Sequence, residues 1–480
     1  MDPTTRYRPA VAAGRLQPAS SGGLERRSLR LRISRGNVVA TATLAAMLVV
    51  VFWLWSFAYF WTDDFLNIYW IQSETGRQML RHVFDPSSTF YRPVGECLYW
   101  LLYRAFGINP LPYHVTGWGL HAINTALMFV LLRRLLDSPF AAMAGVIPFA
   151  FRVNFADMYW SFGTVFDLLA CLLMLLGILS YIRWRRRILG IALVCFIYIA
   201  AVKSKEMAIT LPAVLLLYEL CVAPRPRLTC RGFALWLGVP LLVGLWLTHL
   251  KVNVMRDMDP SLPYYFEIDL WTAYQGYAQY LNWMTGLEAP AWLWLAAAAL
   301  FLAFLFWNRV RLGIFFAVYT ALAFAPVIFL PNHRWPYFWY IPFLGIAGLI
   351  GLGARSILTM IRPRWALARL VILNTAALVL WASLVTSVEI YRSRQTRAYE
   401  AGLAAAIHTY ANDLRALERP EPDAVLYFTE MPPHFREEIL NDSVQVLLRR
   451  PDLRAKLVKE FPQNARWKLR FRNGRLERIG

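Results

Sequence analysis

Two adjacent carboxylates, Asp63 and Asp64, stand in the stretch WTDDFLNIYW, directly after an apolar run from Val38 to Phe60. Charge at the mouth of a hydrophobic segment needs a reason, because an ionised side chain at mid-bilayer costs roughly 2.5 to 3.5 kcal/mol on insertion scales. Neighbouring carboxylates repel, which raises the pKa of one of them. A carboxylate tuned in this way takes the proton from a hydroxyl as that hydroxyl attacks. Arg92, Lys203, Lys205 and Arg334 supply positive charge, and the planar fork of an arginine suits phosphate oxygens. A carboxylate base beside a cationic phosphate site, open sideways to lipid, fits transfer of a sugar from a lipid-phosphate carrier to a hydroxyl. The plainer alternative, an acid that only ends a helix, suits one aspartate better than two.

Positioning those groups requires a membrane frame. The 480 residues are 58% hydrophobic, above the roughly half expected of a soluble domain. Spanning a bilayer takes roughly 20 apolar residues. About eleven candidate blocks begin near Val38, His114, Pro139, Phe162, Ile188, Met207, Phe233, Pro290, Leu312, Trp335 and Ala366, the third, fifth and sixth of them short. The pattern predicts an all-α polytopic membrane protein of about eleven transmembrane helices. The net charge of +20 falls in arginine clusters such as ERRSLRLRISR and RWRRR, in every second loop. That is the positive-inside pattern, so the basic excess reads as topology and contact with membrane lipids, not as nucleic-acid binding. The N-terminus is then cytoplasmic and an odd number of spans puts the C-terminus on the other side. Asp63, Asp64, Arg92, Asp157, Lys205, Glu206 and Arg334 all reach the same outward face.

Residues 1–36 read as a disordered basic cytoplasmic tail, 37–388 as the transmembrane domain with a long first outer loop at 58–112, and 389–480 as a small extracytoplasmic α/β domain. The first apolar block lacks a cleavage site of small residues and is expected to remain as an anchor. Within the outer loop, TGRQMLRHVF and VGECLYWLLYRAFG have helical spacing suited to the membrane interface. The aromatic stripe WTAYQGYAQYLNW is an interfacial belt or a lipid-chain groove. In the last domain Arg392–Glu418 reads as a helix, AVLYFTE as a strand, and WKLRFRNGRLERI as a hairpin turning at Asn473-Gly474. Five cysteines give no disulfide framework.

The segments TDDFLN, FYRPVGECLYWLLYRAFGINPLPYHVTGWGLHAINTALMFVLLRRL, ADMYWSFGTVFDLLACLLML, SKEMAITLPAVLLLYEL and NHRWPYFWYIPFLG occur in this order over roughly residues 40 to 350. They resemble the ordered signatures of the GT-C glycosyltransferases, above all the branch holding the protein O-mannosyltransferases and their tetratricopeptide-bearing transmembrane relatives. The resemblance implies a GT-C-like fold, an outward-facing active site and a polyprenyl-phosphate-linked sugar as donor. It implies Asp63 as base with Asp64 its partner, and Arg92, within YRP, as a support for the loop or the phosphate. Lys205 and Glu206 match the family's Lys-Glu at the outer end of a span, and Arg334 matches an arginine for the donor phosphate. Asp157 and Asp167 match an acidic pair. The chain departs from the relatives at Val165, where an arginine is frequent, near Phe155, where a histidine is missing, and in having no repeats.

The preferred reading is an inverting transferase acting on the extracytoplasmic face, with a hydroxyl acceptor on a protein, a lipid or an envelope glycan. It needs no cofactor; a divalent cation at Asp63 and Asp64 is the alternative left open. His114 and His121, seven residues apart on one helix face, offer only two metal ligands and read as buried, hydrogen-bonded side chains, with His121 in a supporting role. Tyr337 in PYFWY packs first and stacks on a sugar second. The rival readings are a transporter or flippase of a lipid-linked sugar and an O-antigen-ligase-like enzyme.

Overall fold

Proline and a polar cap open several helices, where the first N–H groups lack intrahelical partners. Asn109 Oδ1 accepts from the Leu111 N–H at 3.2 Å ahead of Pro110, and Ser138 Oγ from the Ala141 N–H at 3.3 Å ahead of Pro139. The computed structural model of the protein describes residues 42, 45, 48–49, 59–85, 92–152, 161–185, 187–223, 238–246, 259–361, 367–432, 435 and 437–479. The helices are α1 Thr62–Ile71, α2 Gly76–Phe84, α3 Pro93–Phe106, α4 Pro110–Leu136, α5 Pro139–Phe151, α6 Val165–Trp184, α7 Ile188–Val202 and α8 Leu211–Cys221. They continue with α9 Leu270–Thr285, α10 Ala291–Trp307, α11 Arg311–Ile328, α12 Phe343–Ile361, α13 Leu367–Ala416 and α14 Glu437–Leu448.

Three helices are long and apolar enough to cross a membrane: Pro110–Leu136, Phe162–Trp184 with its leading 3-10 turn, and Arg311–Ile328. Against the expectation of about eleven spans, three are therefore evident among the described residues. The blocks at Pro139, Ile188, Pro290 and Trp335 fold as shorter apolar helices, and the one at Met207 divides into a 3-10 turn, Glu206–Thr210, and α8. The basic tail and nearly all of the first block lie outside the described residues, as does the start of the block at Phe233. The block at Ala366 and the helix expected at Arg392–Glu418 are one element, the 50-residue α13, about 75 Å long at 1.5 Å per residue.

Two hydrophobic cores result. The first lies among α4 to α8, α11 and α12. Here α5 and α12 approach until backbones touch: a Cβ on Gly145 would lie 2.0 Å from the Ala347 carbonyl oxygen, a contact only a small residue permits. The second core joins Phe60, Phe65, Ile68, Tyr99, Tyr113, Phe162 and Phe166 to the end of α13, to α14 and to a small sheet. Its strands, β1 Val425–Phe428, β2 Arg454–Leu457, β3 Trp467–Arg472 and β4 Arg475–Arg478, lie in the order β2-β1-β3-β4. β1 runs parallel to both neighbours, and β3 turns back antiparallel into β4 through Asn473 and Gly474, at φ 52° and 74°. Two consecutive positive φ values suit a two-residue hairpin turn.

The fold thus packs α14 against α1, the helix that carries the acidic pair, within the core that also holds the small sheet. Phe65 is fully buried and its ring lies 6.1 Å from that of Phe435. Phe65→Ala should destabilise the protein by about 3–5 kcal/mol. Phe435→Ala should also lower the thermal midpoint of the detergent-solubilised protein, and the double variant should lose less than the sum because the two share a contact. Unchanged midpoints in both single variants would show that the seam contributes nothing.

Candidate functional site

The ten residues of α1 have two faces. Asp64, Phe65, Ile68 and Ile71 are buried, whereas Asp63 and Trp70 are exposed, which is the spacing of a helix lying on a core. Asp64 is the third helical residue. Its Oδ2 accepts the Trp61 N–H at 2.7 Å, reaching back over the open helix start. Its Oδ1 accepts the Tyr99 O–H at 2.7 Å, and the Gly163 N–H donates to the same carboxyl. Burial pushes the Asp64 pKa up to about 7, against the pull of the Trp61 and Tyr99 hydrogen bonds; repulsion from Asp63 is a smaller upward push. The charge repulsion expected from sequence is present, but desolvation outweighs it. The same environment raises the Tyr99 hydroxyl well above its ordinary value, first through burial.

Asp63 points the other way, out of the core. Its carbonyl accepts from Asn67 Nδ2 at 2.8 Å. The turn Phe162–Thr164 that leads into α6 lies against it: a Cβ on Gly163 would meet Asp63 Cβ at 3.4 Å. Three residues along, α6 presents Phe166 and Asp167.

Two ion pairs meet there. Arg92 Nε and Nη2 donate to the two carboxylate oxygens of Glu206 at 3.2 and 3.0 Å. Lys205 Nζ lies 3.1 Å from Asp167 Oδ2, both side chains being almost completely buried. Lys205 has extended backbone angles, φ −157° and ψ 142°, so neighbouring side chains leave on opposite sides. One dipeptide thereby ties α6 to the start of α3. Aromatic rings join the pairs: Arg92 sits 5.4 Å from the Phe166 ring and 5.9 Å from that of Tyr264, and Lys205 sits 5.2 Å from Phe338. Tyr264 stacks on His333 at 4.5 Å, and His333 lies 5.7 Å from Phe338. Gly95 leaves room for this, since a Cβ there would overlap the Phe166 ring at 2.2 Å.

The other residues singled out by sequence sit around this centre or away from it. Lys203 donates to the carbonyls of Val83 and Asp85 at 2.6 and 3.0 Å, capping α2, where a cation suits the helix dipole. Arg334 donates to Gln279 Oε1 and the Thr272 carbonyl on α9, and its buried Nε has no hydrogen-bond partner. Tyr337 stacks on Trp335 at 6.4 Å. His121 is buried in the first core, its Nδ1 2.8 Å from Tyr340 Oη and its Nε2 3.1 Å from the Ala150 carbonyl. Asp157 lies outside the described residues. Tyr99, Gly163, Tyr264 and His333 were not singled out by sequence; their roles depend on contacts 35 or more positions away, such as Tyr99 on Asp64, and local spacing carries no signal for these.

A cation at the acidic pair would have to displace the Trp61 and Tyr99 donors from both Asp64 oxygens. Among the described residues no group of three or more His, Cys, Asp or Glu side chains is placed to hold a metal. Asp167 Oδ1, by contrast, is buried without a hydrogen-bond partner and open to a donor.

The Asp64 carboxyl makes stability depend on pH. Its folded-state pKa of about 7 lies above the unfolded value of 3.8, so the fold favours the neutral acid. The stability this lends is complete below about pH 4 and is lost as pH rises through about 7. Relative to Asp64→Asn, which stays neutral, the wild-type thermal midpoint should fall over that window and then run parallel; a constant difference from pH 4 to 7 would contradict the assignment. Lys205→Met should cost about 3–5 kcal/mol, because it leaves a buried aspartate charge without its partner. Adding Asp167→Asn should recover much of that loss in the same melting measurement, and a neutral single variant would show the pair to be dispensable.

No protein-family model matches the chain. It is 35% identical over 137 residues to the protein O-mannosyl-transferase Tmtc1 of Drosophila melanogaster, a match that covers 27% of this chain. The matched stretch spans 15% of that relative's length. Among solved structures, ArnT from Cupriavidus metallidurans bound to undecaprenyl phosphate aligns over 86% of this chain and 85% of its own, with a TM-score of 0.48 and 14% identity. The chain is thus similar, over about a quarter of its length, to a protein O-mannosyl-transferase.

Proposed function

We propose that the protein is a membrane glycosyltransferase that moves a sugar from a polyprenyl-phosphate donor to a hydroxyl acceptor. The single observation that carries this reading is the division of labour within the acidic pair. Asp64 is buried and held by the Trp61, Tyr99 and Gly163 donors, whereas Asp63 on the same turn is exposed. The exposed carboxyl of Asp63, unlike the buried one of Asp64, is open to an acceptor hydroxyl, and Asp63 serves as the base.

The step is a single displacement. The acceptor hydroxyl gives its proton to the Asp63 carboxylate, its oxygen forms a bond to the anomeric carbon, and the bond from that carbon to the phosphate oxygen breaks. The electron pair leaves with the lipid phosphate, and the configuration inverts. Cations are most effective where negative charge develops in the transition state. Arg334, with its unpartnered Nε, and Lys205 are the groups proposed to face the departing phosphate, and Asp167 Oδ1 to accept a hydroxyl of the donor. Arg92 acts through Glu206, holding the Lys205-Glu206 turn in place. The displacement invokes no metal, a divalent cation at Asp63 and Asp64 being the alternative. The site faces the extracytoplasmic side of a GT-C-like bundle of about eleven spans, with the N-terminus cytoplasmic and the C-terminal domain on the same side as the site. The Tmtc1 likeness and the positive-inside charge pattern support this assignment.

Purified Asp63→Asn, supplied with polyprenyl-phosphate sugars and a hydroxyl acceptor, should lose about 10²- to 10⁴-fold in transfer, the usual contribution of a general base. Because Asp63 is exposed, the thermal midpoint should not move. Transfer at the wild-type rate would remove Asp63 from the mechanism, and movement of the lipid across vesicles with no glycosidic bond formed would point to a flippase.

A further inference from the structure

On the exposed face of α1, two turns beyond Asp63, stands Trp70. Seven residues of helix bring a side chain back to nearly the same direction, about 10 Å further along the axis. Trp70 is 46% exposed. It opens onto a cavity of about 650 Å³, lined also by Tyr69, Gln72, Tyr103, Gln445 and Arg449. Tyr103 comes from α3, and Gln445 and Arg449 from α14 and the residue pair that follows it. The C-terminal domain therefore supplies one wall and the helix with the acidic pair the other.

The lining has a chemical bias. Three aromatic rings offer flat apolar surfaces, and two amides with one guanidinium offer donors and acceptors around them. Gln445 is only 6% exposed; its Nε2 donates to the Leu453 carbonyl at 2.6 Å, while its Oε1 has no hydrogen-bond partner. A buried acceptor left open is uncommon, and a hydroxyl donor seated in the cleft would satisfy it. A pyranose matches this wall: its C–H face lies on an aromatic ring, and its hydroxyls reach the amides. A phosphate would meet a single arginine, and a lipid chain would leave the amides unpaired.

We propose that this cleft is a carbohydrate subsite that holds the acceptor, an oligosaccharide whose terminal hydroxyl extends along α1 to Asp63. The proposal rests on the transferase reading above for the acceptor role but not for glycan binding itself. The C-terminal domain is then the part of the protein that selects the acceptor.

The test uses the full-length protein in detergent, with mannotetraose, chitotetraose and a Ser/Thr-rich peptide as probes, read by saturation-transfer NMR and by titration. At least one tetrasaccharide should bind, and Trp70→Ala should weaken it about tenfold or more. Gln445→Ala should weaken it too, and Tyr103→Phe, a substitution that keeps the ring, should retain it. In transfer assays Trp70→Ala should raise the acceptor KM more than it lowers kcat and leave the donor KM alone. Binding of neither tetrasaccharide, binding that survives Trp70→Ala, or peptide binding lost in that variant would each overturn the proposal. Asp63→Asn should bind the tetrasaccharide as the wild type does. If Asp63→Asn also transfers normally while glycan binding still depends on Trp70, the base assignment fails and the subsite stands.

Discussion

The placement of the acidic pair follows from the burial of one carboxyl. Asp64 closes the start of α1 through the Trp61 N–H and fixes the helix to α3 and α6 through Tyr99 and Gly163. Once that side chain is inside, the helical period leaves no choice for the rest. Phe65, Ile68 and Ile71 must turn inward and Asp63 and Trp70 outward. A carboxyl without these donors would not be tolerated at that depth. The hydrogen bonds make burial acceptable, and burial in turn raises the pKa and quiets the negative charge next to Asp63.

The cationic half is built on a different device. Lys205 and Glu206 are adjacent residues of opposite charge, and each is neutralised by a partner from a different element. Buried pairs of this kind contribute little net stability, since desolvation offsets much of the attraction. Their effect is positional. The bidentate Arg92–Glu206 contact admits one geometry, and Phe166 beneath Arg92 and Phe338 beside Lys205 exclude the water that would loosen it. The 3-10 turn from Glu206 is thereby held in register with α6 and with the segment around Phe338.

What could be read from the sequence divides along the same lines. Local rules carried the hairpin at Asn473-Gly474 and the helical spacing at 75–84 and 94–107, because each depends on residues within a few positions. Paired charge straight after an apolar run draws attention to Asp63 and Asp64 because it is costly there, but that Asp64 is the buried one depends on Tyr99, 35 positions away. Length and composition mark three spans among the described residues, because a short apolar block suits a helix inside a bundle as well as a span. Sequence could not separate Lys203 from Lys205. Both are lysines on one turn, yet one meets the carbonyls ending α2 and the other a carboxylate on α6, and that difference is decided entirely by tertiary placement. The join of the last apolar block to the following helix was hidden because nothing in the boundary region breaks a helix, so α13 runs on.

That continuity bears on why the C-terminal domain sits where it does. A helix of ten residues is too short to be stable by itself, as isolated helices become marginal below about 12–15 residues. α1 must be clamped on both sides to hold Asp63 at a fixed place. One clamp is the Asp64 network. The other is α14 and the end of α13, where Leu403, Ala404, Ile407, Tyr410, Ala411 and Leu414 form a buried stripe at helical spacing. α13 is itself anchored at its other end, with Trp381 Nε1 donating to the Ala144 carbonyl at 3.0 Å and Glu389 paired to Arg152 at 3.3 Å. A rod fixed to α5 below and to α14 above carries the register of the first core to the second. The end of α13 together with α14 is therefore part of what positions the acidic pair, and its removal would leave α1 with one clamp instead of two.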